Sequence, residues 1–222
     1  MNEIYVLTEK NQKYETKALY EEVFPEDKGP FSDWYYEDRC RDNIIISMKS
    51  HGEIIAMAHL NPFTVCNKDG QEAPIYYIYA VATKKTERHK GCMTAVLNKS
   101  FETMKEKHVP FCFLIPVSES IYTPFGFYTV SKFTPERILD FSEVTSNYDI
   151  YIKEDEDYQR RALKEDELCE NMEEDLPENP VIMVKIISEK SFAIFSGLSD
   201  DATEKEMISW LKKQRIYISE SV

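Results

Sequence analysis

Apolar and polar positions along this chain switch repeatedly between a period of two, which marks strands, and a period of three to four, which marks helices. Glu3 to Thr8 predicts a short strand. Tyr14 to Phe24, with Ala18, Leu19, Glu22 and Val23 at helical spacing, predicts a helix closed by Pro25, and Phe31 to Arg41 predicts a second. Asn43 to Lys49 and Glu53 to Val65 are β-rich runs separated by Ser50-His51-Gly52, the pattern of a hairpin. After a loop containing Asp69-Gly70, the run Pro74 to Thr83 is apolar on both faces, as a central strand requires.

Beyond Gly91 the period changes. Met93, Val96, Leu97, Ser100, Phe101 and Met104 recur at three and four, which predicts an amphipathic helix ending near His108 and Pro110, followed by a buried strand over Phe111 to Val117. Strand, basic turn, helix and strand make a βαβ-like unit beside antiparallel hairpins, so the fold class is α/β with a mixed sheet. Ser142 to Tyr148 and the acidic stretch after it interrupt the pattern. Tyr158, Ala162, Cys169, Met172 and Leu176 then share one helical face, Val181 to Ile187 predicts a strand, Thr203-x-x-Glu206 a capping box, and Ile216 to Ser219 a last strand. We divide the chain into a main domain, 1–148, and a small C-terminal α+β appendage, 149–222.

Composition narrows the function classes. At 222 residues with 42% apolar residues the chain can bury a full core. It has no apolar run long enough to span a membrane, and its start lacks the basic and apolar regions of a secretory signal, so a cytoplasmic protein is expected. Five scattered cysteines (Cys40, Cys66, Cys92, Cys112, Cys169) without a C-x-x-C pair predict reduced thiols and no metal site. The net charge of −13 is uneven: Asp149 to Glu178 alone carries −9, which reads as a solvated helix face or an attraction for a cationic acceptor. Without a concentrated basic surface, nucleic acid is excluded as a partner. The oligomeric state is not readable.

The candidate chemistry lies where the central strand meets the amphipathic helix, in Tyr79-Ala80-Val81-Ala82-Thr83-Lys84-Lys85-Thr86-Glu87-Arg88-His89-Lys90-Gly91-Cys92-Met93. A helix N-terminus carries unpaired N–H groups and about half a positive charge, so it binds phosphate where a turn lets the ligand approach. Arg88, His89, Lys90 and Gly91, leading into Cys92 and Met93, supply two permanent cations, a glycine and a helix start, and a diphosphate is the natural guest. Neither a Walker loop nor a dinucleotide fingerprint is present.

This stretch resembles the acetyl-CoA loop of the GCN5-related N-acetyltransferase (GNAT) superfamily, R/Q-x-x-G-x-G/A after a strand often ending V-A-T. Val81-Ala82-Thr83, Arg88 and Gly91 match, while Met93 stands in place of the last small residue. Leu114 to Phe127, with Ile121-Tyr122-Thr123-Pro124-Phe125-Gly126-Phe127, resembles the I-Y-x-x-F-G-F/Y form of the enhanced intracellular survival acetyltransferases, which are longer proteins with further domains. The resemblance covers about residues 1 to 135. It implies a mixed, mostly antiparallel sheet flanked by helices, whose central strands, Pro74 to Thr83 and Phe111 to Val117, splay to admit pantetheine. It also implies that Val81 and Thr83, either side of Ala82, pair with the pantetheine amides, that Arg88 to Met93 hold the diphosphate, and that Tyr122 is the acid. A phenol suits that task because its pKa near 10 lies above that of a thiol, about 8.5. By the same resemblance the C-terminal carboxylate, here Val222, is the base.

Other residues are secondary. His59, His108 and Glu119 are alternative bases, and Phe31 to Tyr36, with Trp34, Tyr35 and Tyr36, either wall the acceptor pocket or belong to the core. An acyl-cysteine route through Cys92 or Cys112 lacks a Cys-His motif and is set aside. The expected function is acetyl-CoA-dependent N-acetylation of an amine of a small molecule or peptide by direct attack. The alternative is an acyl-CoA-binding regulatory module that keeps the fold without turnover.

Overall fold

The computed structural model describes residues 2–170 and 176–218. In chain order its elements are β1 (Asn2–Leu7), α1 (Lys10–Tyr14), α2 (Lys17–Val23), α3 (Pro30–Glu37), β2 (Ile44–Ser50), β3 (Glu53–Asn67), β4 (Glu72–Thr83), α4 (Cys92–Glu106) and β5 (Phe111–Leu114). These are followed by α5 (Glu119–Tyr122), β6 (Tyr128–Lys132), α6 (Phe141–Asn147), β7 (Ile150–Ile152), α7 (Glu156–Cys169), β8 (Val181–Ile186), α8 (Glu189–Ser196), α9 (Glu204–Leu211) and β9 (Ile216–Tyr217). The result is a mixed α/β fold with a largely antiparallel open sheet and flanking helices. Two units emerge, residues 2–62, 78–103 and 155–170 in one and 63–77, 104–154 and 176–218 in the other, so segments from both sides of residue 148 occur in each.

In the first unit β1 pairs antiparallel with β2 from Asn2↔Ser50 to Leu7↔Ile45, and β2 pairs antiparallel with β3 from Ile44↔Leu60 to Ser50↔Glu53. The expected hairpin is present. His51 and Gly52 form its two-residue turn with φ of 52° and 83°, the left-handed pair whose twist matches the flanking strands. Tyr20, Tyr35, Tyr36, Ile45, Ile46, Met57 and Leu60 are fully buried here.

The helix expected over Tyr14 to Phe24 is observed as α2, Lys17–Val23, and a separate short helix, α1, precedes it and ends at Tyr14. Thr16 explains the break: its hydroxyl donates back to the Lys13 carbonyl at 2.7 Å and meets the Tyr36 hydroxyl at 2.8 Å, so the side chain competes with the helical ladder. Lys13 itself is buried, and its ammonium donates to the Cys40 carbonyl at 2.8 Å. The second expected helix likewise stops at Glu37 and gives way to a 3-10 turn at Arg39–Arg41.

In the second unit β5 runs parallel to β4 through Tyr76↔Cys112 and Tyr77↔Phe113, the βαβ connection read from the sequence. β8 lies antiparallel between β5 and β6, β7 joins β3 at Val65 to Asn67, and β9 runs parallel to β7. The Tyr77 and Phe113 rings stack at 4.9 Å. β5 ends at Leu114 rather than Val117, since Pro116 has no N–H to give a ladder. The capping box is realised: Thr203 Oγ1 accepts from the Glu206 N–H at 3.3 Å and the Glu206 carboxylate accepts from the Thr203 N–H at 2.8 Å. Of the expected last strand, Ile216–Tyr217 is observed, while Ser219 and the catalytic candidate Val222 lie outside the described residues.

Part of the acidic excess has an internal use. In the first unit Arg161, whose side chain is 7% exposed, donates to both oxygens of Asp42 at 3.0 Å and to Asp157 at 2.7 Å, and Arg41 reaches Asp157 at 2.7 Å. The Arg160 and Arg161 guanidiniums hold the Asp157 carboxyl down to about 2. These pairs fasten α7 to the chain after α3. Removing one partner of a fully buried pair costs about 3–5 kcal/mol, but Asp42 and Asp157 are 48% and 41% exposed, so the penalty here is smaller. Urea unfolding of Arg161→Ala is expected to show a loss of about 2 kcal/mol, and of the half-exposed Arg160→Ala a clearly smaller loss. Equal losses would show that burial of Arg161 is not what gives the latch its strength.

Candidate functional site

β4 leaves the second unit at Tyr77, enters the first at Ile78 and carries Ala80 at φ 48°. That left-handed residue inside a strand is a bulge geometry, which bends the strand and re-aims neighbouring side chains. No sequence signal marks Ala80, because alanine has no preference for this conformation. Past it, Val81 and Thr83 are half-buried and Ala82 is buried.

The chain then turns. The Lys84 N–H donates to the Ile55 carbonyl at 2.8 Å, tying the strand end to β3. A 3-10 turn, Lys85–Glu87, leads to Arg88, whose Nε donates back to the Thr83 carbonyl at 3.3 Å and closes the turn on itself. His89 and Gly91 both have left-handed backbones, with φ of 62° and 82°. Such residues fold successive N–H groups toward one concave side, the arrangement that receives anions. Residues 88–91 are exposed, and the Gly91 carbonyl accepts the Ala95 N–H at 3.1 Å as α4 begins. The first N–H groups of a helix have no acceptor within it, so they are available to a ligand.

Charge is distributed unevenly over this turn. Lys84 pairs with Glu53, and Lys90 lies 3.2 Å from both Glu87 oxygens, whereas the Arg88 guanidinium bonds only its own turn among the described residues. Cys92 is buried and Met93 half-buried in the first turn of α4. Replacing a small residue by Met93 leaves that position's backbone N–H in place. Val81, Ala82, Thr83, Arg88, His89, Lys90, Gly91, Cys92 and Met93 thus share one strand, turn and helix start in the first unit.

Tyr122 belongs to the second unit, as the last residue of α5. Its ring meets Phe127 edge-on at 5.9 Å, and burial pushes its phenol up to about 12, which keeps it protonated at neutral pH. Of the alternative bases, His59 is fully buried and burial drives it down to about 3, so it stays neutral. Glu119 accepts from the Thr129 hydroxyl, and His108 is an exposed residue just after α4. Burial raises the Cys112 thiol to about 12, which removes it as a nucleophile. Tyr35 and Tyr36 are core residues of the first unit, and Trp34 is half-buried beside Phe31.

Residues 6–130, more than half of the chain, match the acetyltransferase (GNAT) domain family. The chain belongs to the GNAT acetyltransferase family. A probable N-acyltransferase from Enterococcus faecalis matches its fold with a TM-score of 0.55 at 17% identity, over 60% of this chain and 33% of that one. Eis1 from Mycobacterium abscessus matches at 0.55 and 12% identity, over 75% and 48%, and a putative N-acetyltransferase from Lactobacillus plantarum at 0.52 and 13%, over 84% and 98%. At such identities the likeness is one of fold. This GNAT chain spans a third to a half of the length of the first two structures. A search of curated proteins finds no significant match.

Among the described residues no helix is long and apolar enough to cross a membrane, and no three His, Cys, Asp or Glu side chains group to hold a metal ion. For the GNAT turn, a Cβ on Gly91 would meet no atom within 4 Å, so the constraint there is the positive φ and the space beside it that a ligand would occupy. Gly91→Val is therefore expected to weaken acetyl-CoA binding at least tenfold by calorimetry, through backbone strain and loss of the close approach. Affinity equal to the parent's would remove the turn as the diphosphate site.

Proposed function

We propose that this chain transfers the acetyl group of acetyl-CoA to an amine of a small molecule or peptide by direct attack. The observation that carries this reading is the bulged strand, basic turn and helix start at Ala80 to Met93, within the segment that matches the GNAT family. In this reading the backbone of Val81 and Thr83 pairs with the pantetheine amides, and the N–H groups of residues 88–93 and the Arg88 guanidinium hold the diphosphate.

The amine nitrogen attacks the thioester carbonyl, the carbon–sulfur bond breaks, and the departing thiolate takes a proton from Tyr122. Burial keeps the phenol protonated at neutral pH, so it holds the proton that the departing thiolate takes. Val222, the base that the resemblance implies, lies outside the described residues. A cytoplasmic location accompanies this reading, supported by Cys40, Cys66, Cys92 and Cys112 being buried thiols.

Thiol release from acetyl-CoA across a panel of alkylamines, diamines and peptide N-termini tests the reading. Release with at least one amine supports it, and acetyl-CoA binding without release by any amine favours a binding module. Tyr122→Phe is expected to keep parental acetyl-CoA affinity while turnover falls by about 10²-fold or more, the range for loss of a general acid. Unchanged turnover would make Tyr122 a packing residue of α5.

A further inference from the structure

Polar side chains occupy a buried face of β2 and β3 in the first unit, where a packed sheet ordinarily carries apolar ones. In β3 the side chains of Met57, His59 and Asn61 alternate onto one face, and Ser47 of β2 lies opposite Met57 as Ile45 lies opposite His59, so Ser47 points the same way. Asn43, just before β2, joins them through its Nδ2, which donates to Asn61 Oδ1 at 3.2 Å. Ser47, His59 and Asn61 are 0% exposed and Asn43 is 2% exposed. α3 roofs the cluster: the Tyr35 ring stacks on His59 at 5.7 Å and the Tyr36 ring meets it edge-on at 5.9 Å.

The bonds inside the cluster satisfy each of these side chains only in part. The Tyr35 hydroxyl donates to Asn61 Oδ1 at 3.3 Å and meets His59 Nδ1 at 3.0 Å, and Asn43 Nδ2 also reaches Cys40 Sγ at 3.4 Å. A phenol has one hydrogen, so both Tyr35 contacts hold only if Nδ1 carries the imidazole proton and donates it to Tyr35. Burial, with the Lys13 charge adding to it, keeps the ring neutral, which leaves Nε2 a bare lone pair. Among the described residues four buried atoms of the cluster have no partner: His59 Nε2 and Asn43 Oδ1, which accept, Asn61 Nδ2, which donates, and Ser47 Oγ, which can do either. Buried polar atoms are nearly always hydrogen-bonded, so four unmet ones in one cluster point to an occupant.

We propose that His59, Asn43, Asn61 and Ser47 form a closed hydration site, in which bound water donates to His59 Nε2 and Asn43 Oδ1 and accepts from Asn61 Nδ2 and the Ser47 hydroxyl. Water carries two hydrogens and two lone pairs, the complement of that set, and buried water ordinarily bonds to otherwise unmet polar groups in this way. The chemistry selects a neutral occupant. An anion would face the lone pairs of Nε2 and Asn43 Oδ1. A cation would face the N–H hydrogens of Asn61, with the buried Lys13 ammonium close by on the Cys40 and Arg41 carbonyls. The water joins β2 to β3 and fixes the imidazole on which Tyr35 stacks, so it fastens the sheet to α3. This holds whether or not the chain transfers acetyl groups.

A high-resolution crystal structure and imidazole nitrogen NMR, both on the full chain, test the assignment. The crystal should show water density within about 3.2 Å of His59 Nε2 and of at least one of Asn43 Oδ1, Asn61 Nδ2 and Ser47 Oγ. The nitrogen shifts of His59 at neutral pH should be those of a neutral ring protonated on Nδ1, the less common tautomer of a free imidazole. Water relaxation dispersion, which counts water molecules held for long times, should find at least one fewer in Asn61→Leu than in the parent. If Asn61→Leu does not fold, the two measurements on the parent decide the matter. A cluster without water density, density for any other occupant, a ring protonated on Nε2, or an unchanged water count in folded Asn61→Leu would overturn the assignment.

Discussion

The left-handed backbone of Ala80 is the constraint on which the site depends. An L-residue with a side chain pays about 1–2 kcal/mol for that conformation, and in a strand it also breaks the ladder. Here it is fixed within a buried stretch, where Ile78, Ala80 and Ala82 are all nearly inaccessible. The register between β4 and β5 runs through Tyr76 and Tyr77, ahead of the bend. Beyond it, Val81 to Thr83 lead into the turn that Arg88 closes on the Thr83 carbonyl, and from there into α4. Bulge, strand end, turn and helix start are one continuous stretch of backbone. What the stretch offers a ligand is chiefly N–H groups and a guanidinium, which explains how Met93 can replace a small residue without removing the donors.

Burial separates the ionisable groups of the protein into different chemical roles. It pushes Tyr122 up, where it remains an acid, and His59 down, where it remains a neutral partner of Tyr35. It raises the Asp27 carboxyl, and keeps Cys40 and Cys112 as thiols. One force, desolvation of the charged form, thereby favours the neutral form of each of these groups. The acids of α7 follow a different rule. Asp157 is exposed and paired with arginines, so its charge contributes to holding the helix rather than to drawing in a substrate.

The sequence made the strands and the basic turn legible, because hydrophobic period and the spacing of Val81, Arg88 and Gly91 are local properties. β2, β3, β4, α4, β8 and the Thr203 capping box emerge where periodicity places them. The break between α1 and α2 was not legible, since it depends on Thr16 finding Tyr36, and the end of α3 was likewise misjudged by several residues. α8 was missed although Ser188 at its start and Gly197 after its end are ordinary boundary signals, which its short apolar run obscured. In the site, Tyr35 and Tyr36 could not be told from pocket lining by pattern, and they proved to be core.

The central claim is that one stretch of backbone, from the bulge of β4 to the first turn of α4, receives the pantetheine and diphosphate of acetyl-CoA. Amide hydrogen exchange with and without CoA tests it most directly, because the claim is about N–H groups. The account predicts slowed exchange at Val81, Thr83 and residues 89–94 on CoA addition, with β1 and α7 unchanged. Binding of CoA that leaves those amides exchanging as before would contradict it.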